Sequence, residues 1–149
     1  MEAIIFIGIQ ATGKSAFYQQ RFADTHIRLN LDMLKTRRRE QILLKACLEA
    51  RQLFVVDNTN ITREARAGYI SQAKSAGFNV IGYYFKSALQ SAIERNDQRS
   101  GKARIPVRGI VATHRKLELP SYDEGFDQLF YVEIGDNGAF IVKEWSDEV

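Results

Sequence analysis

A chain of 149 residues with 45% hydrophobic and 26% charged residues has globular composition and enough length for a sizeable core in one domain. Its formal net charge of +3 permits an anionic partner without demanding one. A single cysteine, Cys47, excludes an intramolecular disulfide, and no apolar run approaches the length of a membrane span. The chain enters an apolar run almost at Met1, so no leader segment is expected, and a cytoplasmic location and no membrane partner are expected with it.

The first predicted strand, residues 3–7 (A-I-I-F-I), is a continuous apolar run of the kind buried on both faces. It leads directly into Gly8-Ile9-Gln10-Ala11-Thr12-Gly13-Lys14-Ser15, which fits G-x-x-x-x-G-K-[ST]. Helix-compatible residues follow, from Ala16 to Ala23. Strand, loop and helix in that order are the context a P-loop needs. A triphosphate requires many hydrogen-bond donors at close range. Glycine lets backbone N–H groups approach a phosphate, and the helix that begins near Gly13 adds its positive dipole end. The expected ATP contacts are therefore Gly8, Gln10, Ala11, Thr12, Gly13, Lys14 and Ser15. Lys14 is expected to reach the β- and γ-phosphates, and the Ser15 hydroxyl to ligate Mg²⁺.

Residues 27–30 are a short second strand. A helix is expected from about 32 to 52, with Leu34, Ile42, Leu44, Cys47 and Leu48 as its apolar positions. Cys47 reads as a buried small hydrophobe there. Residues 53–56 (L-F-V-V) are a third buried strand, ending at Asp57. Asn60 or Thr62 caps the next helix, which stops at Gly77. A fourth strand covers 79–85, and a helix over about 88–99 breaks at Ser100-Gly101. Ile105-Pro106 opens another helix, to about 117, and a fifth strand covers 128–134. The turn Gly135-Asp136-Asn137-Gly138 returns residues 139–143 as an antiparallel hairpin strand, which Trp145 is expected to cover. Tyr83, Tyr84 and Phe85 are assigned to packing. His26 and His114 have no spacing that suggests a metal site or a triad. The alternation of strand and helix gives an α/β class: a P-loop NTPase or kinase fold, with a five-stranded, mainly parallel sheet flanked by helices and a C-terminal antiparallel hairpin strand, as one domain over 1–149.

Ligands of such sheets sit beyond the carboxyl ends of the strands. Polar residues stand at three of these ends: the P-loop, then Asn30 and Asp32, then Asp57-Asn58-Thr59-Asn60. All three sets are expected on one edge of the sheet. Asp32 is placed to accept the proton of an attacking hydroxyl, or to be a plain helix N-cap; neither role excludes the other. Asp57 ends an apolar strand, where an acid orients Mg²⁺ and its waters; the plain alternative is an Asx turn. Arg95 and Arg99 stand one turn apart on one predicted helix and share a face. The small, basic segment after them reads as a lid over about 100–105, whose arginines close on the phosphates. Lys35, Arg37, Arg38 and Arg39 form the densest charge run. Lys35 is expected to face the same site as Asp32, which suggests an acceptor that itself carries phosphate; at least two of the four read as solvated helix face.

In these pieces the chain resembles the kinase domain of polynucleotide 5′-kinases, the nucleic-acid end-healing enzymes of phage and of eukaryotic kinase–phosphatases. The matching stretches are Gly8 to Ser15, Leu29-Asn30-Leu31-Asp32, Val56-Asp57-Asn58-Thr59-Asn60, Glu94-Arg95-Asn96 through Arg99, Ile105-Pro106-Val107, Arg115-Lys116 and Glu124-Gly125-Phe126. They run in order from about residue 4 to residue 134. The resemblance implies a P-loop kinase that uses ATP and Mg²⁺ to phosphorylate a 5′-hydroxyl end of DNA or RNA. It implies Asp32 as general base, Lys14 and Ser15 as phosphate and metal contacts, and Arg99 as the lid arginine, with Arg95 one turn before it. The family often has Arg before the base, where this chain has Leu31. The phage-type enzyme has an arginine for the acceptor phosphate at the position of Lys35, which keeps the charge and loses the bidentate fork. Two other readings stay open: a P-loop kinase for a sugar, nucleoside or antibiotic, and an ATP-binding module that regulates a partner and transfers nothing.

Overall fold

A computed structural model describes residues 1–146. The apolar runs become strands β1 (Glu2–Ile7), β2 (Ile27–Leu29), β3 (Phe54–Val56), β4 (Asn79–Phe85), β5 (Gln128–Ile134) and β6 (Phe140–Glu144). The helices between them are α1 (Lys14–Arg21), α2 (Leu31–Leu34), α3 (Arg37–Ala50), α4 (Arg63–Ser75), α5 (Leu89–Asp97) and α6 (Val107–Lys116). The strands form one sheet in the order β2-β3-β1-β4-β5-β6. Neighbours are parallel except β6, which returns antiparallel to β5, with Val132 opposite Val142. The hairpin strand is thus a sixth member of the sheet itself. This α/β architecture is the expected one.

Because side chains alternate along a strand, β1 feeds both faces of the sheet. Ile5 and Ile7 join Leu44, Cys47, Tyr69, Ile70 and Phe126 under α3 and α4. Ile4 and Phe6 join Phe17, Phe22, Val55, Ile81 and Phe85 under α1. Phe6 and Phe17 meet edge to face at 5.8 Å. Burying side chains of this size contributes roughly 1.5–3 kcal/mol each. Trp145 closes the far end by packing on Tyr84 and Tyr131.

Three local expectations are corrected. The helix expected over 32–52 is two helices. Lys35 ends α2 at φ 75°, and Thr36 is extended and accepts the Arg39 N–H at 3.2 Å, capping α3. Good helix formers on both sides of Thr36 hide this cap in the sequence. Thr62, not Asn60, caps α4, accepting from the Ala65 N–H at 3.0 Å. Asn60 lies at φ 45° and donates to the Phe6 carbonyl at 2.8 Å, so it ties its loop to β1. Helix α5 ends at Asp97, so Arg99 stands beyond it and not on a shared helix face with Arg95.

One buried ion pair closes the back of the fold. Arg66, on α4, is fully buried. Its Nε and Nη2 donate to Glu124 at 2.8 and 3.1 Å, and Nη1 donates to the Asn60 and Glu118 carbonyls at 2.9 and 3.0 Å. All the charge is compensated, and removing Arg66 leaves the buried Glu124 carboxylate with only Arg63, 4.0 Å away, as counter-ion. Arg66→Met is expected to lower unfolding free energy by about 3–5 kcal/mol in urea titrations. Adding Glu124→Leu should recover part of that loss; a single variant as stable as wild type refutes the account.

Candidate active site

The strand order sets the site. Placing β1 between β3 and β4, with β2 outside β3, brings the loops after β1, β2 and β3 side by side. The cavity at that edge is about 610 Å³. The P-loop residues 10–15 form its floor; Arg28, Asn30, Leu31 and Asp32 one wall; Asp57, Asn58 and Thr59 the back; Arg99, Lys102, Ala103 and Ile105 the opposite wall. The convergence expected from the sequence is present.

The P-loop is braced from every side. The Gly8 N–H donates to the Thr59 carbonyl at 2.9 Å, and the Ile9 N–H to Ser87 Oγ at 3.1 Å. A Cβ on Gly8 would sit 3.0 Å from Phe85 Cβ, so β4 leaves no room for a side chain there. Gly8 thus acts behind the cavity rather than in its lining. Gln10 reaches α6, with Nε2 donating to Thr113 Oγ1 at 3.0 Å. Thr12 Oγ1 donates to the Ile9 carbonyl at 2.9 Å. Ala11 takes φ 60°, a strained region for a residue with a Cβ, and its carbonyl accepts Arg95 Nη1 at 3.1 Å. Gly13, at φ 95°, starts α1. Arg95 therefore holds the loop's shape, while Arg99 faces the cavity.

Lys14 folds over the loop: its Nζ donates to the Gly8 and Ile9 carbonyls at 2.9 and 2.7 Å. Loss of solvation at the cavity floor pushes its ammonium down to about 8. The Asp57 carboxylate opposes this, the Arg99 guanidinium adds to it, and Asp32 opposes it less. One lysine thus feels groups from all three walls.

Two asparagines fix the Asp32 wall. Asn30, not Asp32, caps α2: its Oδ1 accepts the Met33 N–H at 3.0 Å, while its Nδ2 donates to the Asp57 carbonyl at 2.6 Å. Asn58 Oδ1 accepts the Leu31 N–H at 2.9 Å, and its Nδ2 donates to buried Glu40 at 2.9 Å. Glu40 also accepts the Tyr69 hydroxyl at 2.5 Å. Burial and this carboxylate raise the Tyr69 phenol, which stays a donor. Asp32 itself is exposed at the cavity rim and carries no capping bond. Lys35, Arg37, Arg38 and Arg39 do not line the cavity. Arg37 turns to Tyr69 and Glu40, and Arg39 to the Leu34 carbonyl. The break at Lys35 is what turns the run away.

The segment expected as a lid contains a 3₁₀ turn over Gly101–Ala103, and Arg99 Nη1 donates to the Ala103 carbonyl at 3.3 Å. Buried Asn96 clamps its base, bonding the Ile105 carbonyl at 2.6 Å and the Ile105 N–H at 2.8 Å. Asn96 was not expected in this role; nor was Arg28. Arg28 Nε donates to Asp57 Oδ2 at 2.8 Å and its Nη2 to Ser15 Oγ at 2.9 Å. Its one sequence signal is a charge inside a strand, between Ile27 and Leu29. Because one guanidinium spans both oxygens, Ser15 and Asp57 lie close enough to serve one small cation. Two hard oxygen donors fit Mg²⁺, which takes few protein ligands beside a nucleotide's phosphates. Among the described residues no cluster of three His, Cys, Asp or Glu side chains suits a metal bound by protein alone.

The family model described as an AAA domain matches residues 4–120. The bifunctional polynucleotide phosphatase/kinase of Schizosaccharomyces pombe is 26% identical over 132 residues, covering 84% of this chain and 32% of that protein. The L-seryl-tRNA(Sec) kinase of Methanococcus maripaludis is 26% identical over 143 residues, covering 83% of this chain and 55% of that protein. The chain thus spans less than two thirds of either curated relative. A gluconokinase from Sinorhizobium meliloti 1021 superposes with a TM-score of 0.64 at 18% identity, covering 91% of this chain and 83% of that one, a likeness of fold.

The lowered Lys14 makes a sign-definite expectation. ATP would set a polyanion beside this ammonium and raise its pKa from about 8. Binding near pH 8 then takes up roughly half a proton, and affinity falls as pH rises toward about 9. Calorimetry in two buffers of different ionisation enthalpy measures the uptake. Lys14→Met should abolish it; equal heats in both buffers for wild type would refute the coupling.

Proposed function

The chain belongs to the AAA-domain family of P-loop kinases, and we propose that it transfers the γ-phosphate of ATP to a 5′-hydroxyl end of DNA or RNA. The observation that carries the reading is one cavity with a P-loop lysine on its floor, a free carboxylate at one rim and cations at the other. Asp32 accepts the proton of the attacking hydroxyl as its oxygen bonds to the γ-phosphorus and the bond to the β,γ-bridging oxygen breaks. Lys14 exchanges the Gly8 and Ile9 carbonyls for phosphate oxygens. Arg99 and Lys102 neutralise charge on the transferring group. Ser15 and Asp57 would hold Mg²⁺, which would supply charge neutralisation at the β- and γ-phosphates. The kinase unit is taken as one domain over 1–149, with residues 100–105 as its lid.

For the acceptor, the polynucleotide reading draws on the order of motifs and on the relative named as a polynucleotide phosphatase/kinase. Exposed Lys35 and Arg38 flank the Asp32 wall outside the cavity, where phosphates beyond the reacting end of a long acceptor would pass. The same observation favours a second reading. With the basic run outside, the cavity that Asp32 borders also holds the polar side chains of Asn58 and Thr59, and a polar cavity suits a small sugar-like acceptor. A regulatory module that only binds ATP needs no base at all. ATP consumption with and without a 5′-hydroxyl oligonucleotide, beside a panel of small alcohols, separates the three.

Asp32→Asn tests the mechanism. The cap on α2 belongs to Asn30, so fold and ATP affinity are expected to hold, while kcat falls by about 10²–10⁴-fold. Unchanged single-turnover transfer would remove Asp32 from the reaction. The acceptor is tested by salt: oligonucleotide affinity should weaken as salt rises, and Lys35→Ala with Arg38→Ala should flatten the slope by about one unit per lost contact. An affinity indifferent to salt would favour the small acceptor.

A further inference from the structure

Arg28 stands where the proposed metal would stand. Its guanidinium binds Asp57 Oδ2 at 2.8 Å and Ser15 Oγ at 2.9 Å, the two oxygens assigned to Mg²⁺. Asp57 is 2% exposed and has no other cation within ion-pair distance among the described residues, so this arginine is its counter-ion. A buried carboxylate needs one. A guanidinium does not lose its proton at any ordinary pH, so it can yield these oxygens only by moving. It has room to move: its side chain is a quarter exposed, and beyond the ion pair it packs only loosely over the Tyr18 ring, 5.9 Å from the centroid.

A bare divalent ion offers this arginine nothing in exchange for Asp57. A nucleotide-bound ion does, because its phosphates suit a guanidinium fork and lie in the same cavity. We propose that Arg28 is a resident cation at the metal position, which excludes a free divalent ion from Ser15 and Asp57 and admits one that arrives with a nucleotide. The inference rests on the phosphotransfer reading only in taking Ser15 and Asp57 as the metal's ligands.

The test needs neither ATP nor acceptor, so its failure is distinct from failure of the kinase reading. Free Mn²⁺ is titrated by its paramagnetic resonance signal against wild type, Arg28→Met and Arg28→Lys, and the thermal midpoint is followed with and without Mn²⁺. Arg28→Met is expected to bind Mn²⁺ at least about tenfold more tightly than wild type. Asp57→Asn in that background should return affinity to the wild-type level. Arg28→Lys keeps the charge on a single-pronged head that cannot span both oxygens, so about threefold tightening is expected. Should Arg28→Met not fold without metal, folding on Mn²⁺ addition supports the proposal. Failure to fold with Mn²⁺ counts against it, and Arg28→Lys then decides. Equal Mn²⁺ affinity in wild type and the variants, or tightening that survives Asp57→Asn, overturns it.

Discussion

The pairing of β1 with β3 is the constraint on which the site depends. Ile5 opposite Val56 sets Asp57 level with Phe6, two residues before Gly8, and Thr59 level with Gly8 at the sheet edge. The bond from the Gly8 N–H to the Thr59 carbonyl then continues that pairing past the ends of both strands. With β2 paired on the far side of β3, Leu29 also lies opposite Val56, so Asn30 and Asp32 emerge beside Asp57. No helix needs to position these groups. Three apolar strands in register do it, and sheet burial makes the register strongly preferred, because a slip of one residue would turn Ile5 and Ile7 to the wrong face.

Around that edge the electrostatics are unbalanced by design of the fold. Lys14, Arg28, Arg99 and Lys102 meet only two carboxylates, Asp32 and Asp57, in the cavity lining. One carboxylate is already paired with Arg28. Lys14 is lowered chiefly because it is desolvated on the floor; Asp57 opposes that and Arg99 adds to it. Cations in and beside the cavity bond backbone carbonyls. Lys14 takes those of Gly8 and Ile9, Arg95 that of Ala11, and Arg99 that of Ala103. A polyphosphate replaces weak dipoles with charged acceptors, which are roughly twice as strong as neutral ones.

The sheet, its parallel order beside the P-loop and the three polar strand ends were legible because each rests on a local pattern: an apolar run, a glycine spacing, an acid after a strand. What escaped rests on distance along the chain. Arg66 reads as an exposed helix residue until Glu124, 58 positions on, is brought beneath it. Arg28 reads as an edge-strand charge until register sets Ser15 and Asp57 on either side. The Lys35 break escaped for a different reason. Thr36 is an ordinary cap, but residues favourable to helix flank it, and propensity outvotes a single capping signal.

The two walls of the cavity are built differently, and this bears on how the site would work. The Asp32 wall is tied down by side chains that each make several bonds: Asn30 to Asp57 and Met33, Asn58 to Leu31 and Glu40, Glu40 to Tyr69. A base must hold its place against a reacting hydroxyl to within a fraction of an ångström, and such a network supplies that. The Arg99 wall has one buried clamp, Asn96 on Ile105, and beyond it an exposed turn with Gly101 at φ 60°. Among the described residues Arg99 and Lys102 pair with no carboxylate, and the ion pair of Arg104 with Asp97 is exposed and of little energetic weight. The Arg99 wall thus carries fewer side-chain bonds than the Asp32 wall. On the proposed reaction, that division would put closure on the nucleotide side and precision on the acceptor side.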